Sequence, residues 1–400
     1  SATYGDLSLE ESLGKAMPYL ERALELAPDL PEALGAMGLI LDAQARPEEA
    51  LPYFERALAR NPSLTDVRNW YSSALGDVGQ TERQLEEIRT AYESDPLSLL
   101  TLHNYTNNLM MRRQFDTVGP VLDRLGQLDP ARAGGFRSMI LISQSRAAEG
   151  AEQVIRVLDL DPSSIRSREW AAFTLWNMDV KEPAEAIWPW PDNLLPLVSV
   201  GTDFDYVLEL AQQRYIEDPN NPGAIGELAW AQWNVGNKEA GLRLAQRLLD
   251  SLGETRRPSH FINMMFALDA RNAGDQETVL ARIGPVEAEI DEGLEAGIDF
   301  FWIHFGKAMV SEMRGDSDTA YLHLEKAMMR SVAPVERVAY LYEFMGWNDK
   351  PEFVELKERH REYMSGEREK LLKIACGPDG FEAWQPSDED CGRKASAGPI

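Results

Sequence analysis

Prolines recur along the first part of this chain at a nearly constant interval. Pro28, Pro62, Pro96 and Pro130 are each 34 residues apart, and Pro162 follows after 32 residues. Proline has no backbone N–H and disfavours helical geometry in the residue before it, so a helix rarely continues through it. The interval therefore predicts an array of short helical repeats, each ending near a proline.

The stretch 31–64 shows the repeat most clearly. It reads PEALGAMGLILDAQARPEEALPYFERALARNPSL, and its apolar and small residues recur at helical spacing along two successive helices. Gly38, Ala50 and Ala57 stand where two helix backbones approach each other, and a larger side chain would push them apart. The stretch resembles the tetratricopeptide repeat (TPR), a pair of antiparallel helices.

The sequence predicts an all-α fold, a right-handed TPR-like α-solenoid of about nine or ten helix pairs with an irregular middle. In the middle, Trp188–Pro191 reads Trp-Pro-Trp-Pro, which stops a helix. This stretch is a candidate hinge, and an ordinary turn between repeats is the alternative. The predicted division is N-terminal TPR repeats 1–162, degenerate helical repeats 163–222, C-terminal TPR repeats 223–335, capping helices 336–375 and a cysteine-containing tail 376–400.

The acidic composition and the lack of a long apolar run argue against nucleic acid and the membrane as partners of this sequence. The net charge is −26, and no cluster of Lys and Arg is present that could follow a phosphate backbone, so nucleic acid is not expected to bind here. No run approaches the roughly 18 apolar residues that span a bilayer, so membrane attachment would need a segment outside this sequence. The chain opens SATYGD without Met, which indicates a piece of a longer protein.

The sequence contains no motif for a catalytic or cofactor site. It lacks a nucleophile elbow, a phosphate-binding glycine loop, and the HExxH and CxxC patterns, and its five histidines are scattered. Asp316 and Asp318 resemble the start of a calcium loop, but the later ligands are missing, so helix capping is the preferred interpretation. We therefore expect no catalysis, no cofactor and no metal.

The only two cysteines, Cys376 and Cys391, lie close together near the C-terminus. A disulfide between them would close a loop of about 15 residues and would stabilise the tail by roughly 3 kcal/mol. Such a bond favours a periplasmic or other extracytoplasmic location. The alternative is a pair of free thiols in a loose tail of a cytoplasmic protein.

The TPR resemblance implies a concave binding face lined by fixed positions of each first helix. In the N-terminal repeats, these positions carry polar residues, among them Asp42, Asn69, Asp77, His103 and Asn107. TPR proteins that clamp an acidic C-terminal tail carry a lysine at position 5 of the repeat. No lysine stands there in these repeats, so recognition of that kind of tail is not expected.

The equivalent positions of the C-terminal repeats are aromatic and methionine-rich instead. Aromatic rings offer a large contact area with few rotors, and methionine adapts to irregular partners, so the stripe predicts an apolar groove for a protein or peptide. The alternative is that the stripe packs against neighbouring helices or lies under the cap. The candidate groove residues are Trp230, Trp233, Asn234, Phe261, Met264, Arg271, Trp302, Phe305 and Met309.

Short stretches also resemble a group of bacterial membrane-anchored regulators. Asp95–Ser98 and Trp70–Tyr71, together with the two C-terminal cysteines around a Phe/Trp segment, are similar to the C-terminal TPR regions of CadC-like transcription activators and TolB/TPR adenylate cyclases. This resemblance implies a sensory or partner-binding part that reports to an attached output domain. The alternative function is a scaffold that self-associates, for example as a homodimer, without a small ligand.

Overall fold

The structure, a computed structural model, describes residues 9–44, 46–178, 180–187, 204–252, 260–330, 346–387 and 390–392. Every regular element in these ranges is an α-helix, so the predicted all-α fold is confirmed. The candidate hinge Trp188–Pro191 and the side chain of Phe261 lie outside the described residues. Among the described helices, none combines the length and the apolar character needed to cross a membrane.

Within the described ranges, many successive helices pack against each other as pairs joined by short turns. Those of the first half are α1 Leu9–Leu26, α2 Pro31–Ala43, α3 Pro47–Arg60, α4 Thr65–Asp77, α5 Thr81–Ser94, α6 Leu99–Met111, α7 Phe115–Leu128, α8 Pro130–Ser143, α9 Ala147–Leu160, α10 Ile165–Asn177 and α11 Lys181–Ile187. Those of the second half are α12 Phe204–Glu217, α13 Pro222–Asn234, α14 Lys238–Leu252, α15 His260–Ala273, α16 Gln276–Glu295, α17 Phe301–Arg314, α18 Ser317–Met329 and α19 Pro351–Ala375.

The turns within the hairpins use the expected chemistry. Gly79, Gly236 and Gly315 have φ of 82°, 88° and 85°, a left-handed conformation that glycine adopts without a steric penalty. After Gly315, the carboxylate of Asp316 accepts a hydrogen bond from the backbone N–H of Thr319 at 3.1 Å and caps α18. The capping interpretation of Asp316 is therefore confirmed.

The small residues of the repeat allow its two helices to pack closely. A Cβ at Gly38 on α2 would lie 2.6 Å from a ring carbon of Phe54 on α3, and the Phe54 side chain is completely buried. Ala50 and Ala57 on α3 are also fully buried. The small-residue pattern thus has the predicted physical reason, which is close contact between the helices of one pair.

We expect Gly241→Ala in α14 to destabilise the protein by about 2 kcal/mol, because the added methyl has no space. Its Cβ would lie 2.8 Å from the carbonyl oxygen of Ala229 and 3.1 Å from the backbone N of Trp233, and backbone atoms cannot move aside. Gly366→Ala in α19 is the matched control, since nothing lies within 4 Å of its Cβ. Removing this helical glycine should stabilise by roughly 0.5–1 kcal/mol. Urea denaturation followed by circular dichroism measures both, and equal effects would argue against close packing.

The chain divides into two compact units. Unit 1 comprises residues 1–110, 116–125 and 254–257, and unit 2 comprises 111–115, 126–253 and 258–400. Unit 1 has a core of buried apolar residues from α2 to α4, including Leu34, Phe54, Val67, Tyr71 and Leu75. The largest core of unit 2 runs from α13 to α19, and a second core of unit 2 surrounds α9 and α10.

The last helix, α19, contacts two different parts of unit 2. Its first half places Phe353 and Leu356 in the core that contains α17 and α18. Its second half places Leu371 in the core around α9, where the carboxylate of Glu367 accepts a hydrogen bond from the backbone N–H of Ala148 at 2.8 Å. Unit 2 therefore contains contacts between residues more than 200 positions apart, which an array with neighbour contacts alone would lack.

Candidate functional site

Three of the predicted groove residues lie inside the core of unit 2. Trp233 is completely buried, and Met264 and Met309 are 4% and 5% exposed. Their side chains fill the space between helix pairs, and Nζ of Lys238 lies 5.6 Å from the centre of the Trp233 ring. In the described conformation, these three side chains contact helices of the same chain and offer almost no surface to a partner.

The other aromatic residues of the predicted groove are more accessible. Trp230 and Phe305 are half-buried and pack against the same core, whereas Trp302 is 40% exposed at the start of α17. Phe301 beside it is 39% exposed. A groove built on all nine predicted residues stays a prediction, and Trp302 is its most exposed described side chain.

The two polar residues of the predicted groove serve local structure. The side-chain amide of Asn234 donates to the carbonyl oxygen of Trp230 at 2.7 Å. This hydrogen bond lies within the last turn of α13. Arg271 lies 3.7 Å from the buried carboxylate of Glu312, which Lys350 also contacts at 2.7 Å. Burial alone would raise the pKa of Glu312, but hydrogen bonds from Lys350 and its neighbours outweigh it and lower the pKa. This carboxylate is therefore already paired.

The structure joins Cys376 and Cys391 in a disulfide bond at the C-terminal end of α19. Between them, the tail folds back so that Phe381 and Trp384 are 3% and 5% exposed. Their rings stack with centroids 6.0 Å apart and an angle of 13° between the planes. Both rings thus belong to the core around α9.

A buried polar cluster in unit 2 joins residues of several elements. Nε2 of His304 lies 2.5 Å from Oδ1 of Asp299, and its Nδ1 lies 3.0 Å from Nδ1 of His323 on α18. Arg330 pairs with the same carboxylate, as does Arg113 at 3.4 Å. Burial lowers the pKa of both histidines, that of His323 to about 4, so both rings are neutral at pH 7.

The same cluster holds the turns after α6 and α8. The backbone N–H of Asp299 donates to the carbonyl oxygen of Met111 at 2.9 Å, and the hydroxyl of Ser145 donates to that of Met329 at 2.8 Å. Arg113 and Ser145 have φ of 54° and 59°, where other turns have glycine. We attribute the presence of Arg113 and Ser145 in place of glycine to their side chains, because each side chain contacts the C-terminal repeats. We assign this cluster a structural role in closing unit 2.

The first helices of unit 1 present a different, polar surface. We define the first-helix face as Leu39 and Asp42 on α2, Ser73 and Asp77 on α4, and Asn107 on α6. Leu39 and Asp42 are half-buried, whereas Ser73, Asp77 and Asn107 are exposed. These residues stand at the positions that the TPR resemblance assigns to partner binding.

Two other polar positions of these helices are occupied by contacts within unit 1. The amide of Asn69 donates to the hydroxyl of Thr101 at 2.7 Å, and its oxygen accepts from the amide of Asn104 at 3.4 Å. Asn69 is 1% exposed, so this pairing fixes α4 against α6 rather than facing a partner. His103 on α6 is half-buried.

Asp42 is the electrostatically unsatisfied residue of the first-helix face. Its Oδ1 is buried and accepts no hydrogen bond, and in the described part of the chain neither Asp42 nor Asp77 has an ion-pair partner. Burial raises the pKa of Asp42 to about 6, and the charge of Asp77 adds to this effect. The pKa of Asp77 is raised as well, because the surrounding protein partly desolvates a carboxyl whose surface is still exposed. The sequence placed both residues on this face, but it gave no sign that Asp42 lacks a partner.

The described residues contain no group of three or more His, Cys, Asp or Glu side chains arranged to hold a metal ion. The two candidate surfaces are a polar face in unit 1, which holds the unpaired Oδ1 of Asp42, and partly exposed aromatic rings in unit 2.

Residues 31–64 match the family model described as tetratricopeptide repeat. No curated protein sequence matches the chain. The comparisons give no support for the resemblance to CadC-like activators or adenylate cyclases, which rested on a few short stretches. The match covers the stretch in which the sequence shows the repeat most clearly, and it confirms the TPR resemblance for that stretch.

Several solved structures are similar to the chain. The Cut9–Hcn1 hetero-tetramer of the APC/C is 13% identical over 84% of this chain and 60% of that chain, with a TM-score of 0.43. A human IFIT1 dimer with PPP-AAAA is 12% identical over 79% and 78%, with a TM-score of 0.40. A tetratricopeptide repeat protein from Parabacteroides merdae is 10% identical over 71% and 98%, with a TM-score of 0.33. At these sequence identities and TM-scores, the similarities carry no argument about function.

Proposed function

We propose that the protein is a non-catalytic binding module that holds a segment of a partner protein on the first-helix face of unit 1. The observation that carries this proposal is the buried, unpaired Oδ1 of Asp42 beside Asp77. Keeping a carboxylate half-buried without a partner is unfavourable, and a bound cation would remove the penalty. Side chains whose pKa is perturbed by burial and by a nearby charge cluster at functional sites.

The chemistry of the face indicates a partner with a basic side chain. A Lys or Arg of the partner would donate to the carboxylates of Asp42 and Asp77, and an adjacent apolar residue would contact Leu39. Asn107 and Ser73 can donate to and accept from the backbone of an extended peptide. Because the two carboxylates are on successive first helices, one cation can reach both.

The remaining proposals concern the larger protein. We propose, without support from the comparisons, that this module reports binding to an attached output domain of a regulator. The disulfide between Cys376 and Cys391 supports an extracytoplasmic location. The alternative function is a scaffold that self-associates as a homodimer, and a mass that rises with concentration in sedimentation equilibrium, with no peptide bound, would favour it.

The test compares two pools of fluorescein-labelled decapeptides by fluorescence anisotropy at pH 7.5. One pool has lysine at the fifth position and the other has norleucine, with the remaining positions randomised among Ala, Ser, Leu and Phe. We expect the protein to bind the lysine pool roughly tenfold more tightly, as one partly buried ion pair provides. Equal binding of the two pools by the unmodified protein would refute the proposed function.

Variants of the first-helix face test whether the lysine peptides bind there. Asp42→Asn combined with Asp77→Asn should abolish the preference for lysine. The control is Asp66→Asn, which removes one negative charge, half of what the double variant removes, from an exposed position at the start of α4. The control should keep the preference, because long-range charge effects are largely screened at physiological salt. A loss of preference in Asp66→Asn would instead indicate a general effect of net charge.

A further inference from the structure

The C-terminal tail makes a small set of polar contacts with α9 of unit 2, and its Trp384 also lines a cavity with Pro183 of α11 and Leu372 of α19. The backbone N–H of Ala383 donates to the carboxylate of Asp159 on α9 at 2.6 Å. Arg156, one turn earlier on α9, donates to the carbonyl oxygen of Asp379 at 3.2 Å. Its guanidinium also lies over the ring of Phe381, 5.2 Å from the centre. The tail is therefore held on α9 through one backbone N–H, one carbonyl oxygen and the Phe381 ring, on which the Trp384 ring stacks.

These contacts join residues more than 220 positions apart in sequence. Arg156 also pairs with Glu152 on the same helix at 2.8 Å. The side chains of Arg156 and Asp159 extend from α9 and meet the tail at points that a separate peptide could also offer. Extended peptides are commonly recognised in this way, through backbone hydrogen bonds and pockets for alternate side chains.

The tail has the features of a bound ligand rather than of a helix pair. Residues 377–387 contain no regular helix, and they bury two aromatic rings, Phe381 and Trp384, on the core around α9. The disulfide between Cys376 and Cys391 closes the segment into a loop and so limits the conformations that it can adopt when it is not in contact with α9. The loop is also acidic, which complements Arg156.

We infer that the surface of α9 around Arg156 and Asp159 is a docking site for an aromatic, acidic loop, and that the chain's own tail occupies it as a releasable intramolecular ligand. The site recognises a stacked pair of aromatic rings with the spacing Phe-x-x-Trp, a backbone N–H for Asp159 and a carbonyl oxygen for Arg156. Release of the tail uncovers this site. A loop of the same chemistry from outside then competes with the tail by mass action.

The experiment uses the full chain and a fluorescein-labelled peptide of residues 376–391, closed by its own disulfide. The unmodified protein should bind the peptide weakly, because its tail competes at a high effective concentration. The double variant Phe381→Ala with Trp384→Ala weakens the tail and leaves the surface of α9 intact. It should bind the peptide at least roughly tenfold more tightly in fluorescence anisotropy. Equal binding by the two proteins overturns the inference.

Two further variants show where the peptide binds. Adding Asp159→Asn and Arg156→Ala to the double variant should return the affinity to the weak value, and unchanged affinity contradicts docking on α9. The exposed pair Arg243 and Glu239 on α14 provides the matched control, because Arg243→Ala with Glu239→Gln alters a similar pair far along the chain. That control should not alter peptide binding.

Hydrogen exchange of the unmodified protein decides the matter if the double variant does not fold. The amide of Ala383 should exchange at least roughly tenfold faster than the core amides of α9, because the tail leaves its site without unfolding of the helix. Equal exchange rates for Ala383 and for α9 mean that the tail is released only when unit 2 unfolds. That outcome overturns the inference and makes the tail a fixed part of the core.

Discussion

Trp233→Ala is expected to lower the free energy of unfolding of unit 2 by about 3–5 kcal/mol, the range for truncating a fully buried aromatic side chain. The indole is completely buried between α13, α14 and the following helix pair, and the core around it includes Ala245, Ile262 and Met265. Truncation would leave a large cavity, and the rigid helix pairs around it cannot collapse completely. Urea denaturation with hydrogen exchange of residues 222–273 measures the loss.

Trp302→Ala is the matched control, because it removes the same side chain from another position of the predicted groove. Trp302 is 40% exposed, so its truncation should change the stability by less than about 1 kcal/mol. A small effect of Trp233→Ala, similar to that of Trp302→Ala, would mean that the indole of Trp233 is accessible in solution. That result would support the predicted apolar groove.

Asp42→Asn is expected to stabilise unit 1 at pH 7. The carboxyl of Asp42 has a pKa of about 6 in the folded chain, against 3.8 for an unperturbed aspartate. A difference of this size corresponds to about 3 kcal/mol of destabilisation when the group is ionised in both states. Asparagine removes the charge but still leaves a polar group buried, so the expected gain is roughly 1–3 kcal/mol. Hydrogen exchange of residues 31–77 reports on this part of the chain.

The effect of Asp42 on the free energy of unfolding should depend on pH. The folded chain binds the proton of Asp42 more tightly than the unfolded chain, because burial raises its pKa. The destabilisation of the folded chain by the ionised Asp42 carboxylate is therefore absent below pH 4, grows between pH 4 and pH 6, and is complete above pH 6. The difference between Asp42→Asn and the unmodified protein should follow this course. A difference that is constant with pH, or that matches Asp66→Asn, would contradict an ionised, unsatisfied Asp42.

The repeat architecture could be predicted from sequence because its signals are local. The proline interval marks the ends of helix pairs, and small residues such as Gly38 mark the close contact within a pair. These features depend on the geometry of one or two turns of helix, which the neighbouring residues determine. The capping role of Asp316 was predictable for the same reason.

The functional surfaces could be predicted only in part, because burial depends on residues far away in the chain. The same periodic positions carry Trp233, which is buried, and Trp302, which is exposed. Nothing in the sequence indicates that Arg113 and Asp299 meet, or that the tail reaches Asp159. These contacts form between elements that the repeat pattern does not place together.

The central claim is that the first-helix face of unit 1 holds a carboxylate that lacks its cation. The most direct measurement is the NMR titration of the carboxyl carbon of Asp42, assigned by its absence in Asp42→Asn. We predict a midpoint near pH 6 in the free protein, falling below pH 4 when the lysine decapeptides are bound, because a nearby cation favours the ionised form. A midpoint close to 3.8 in the free protein would contradict the claim.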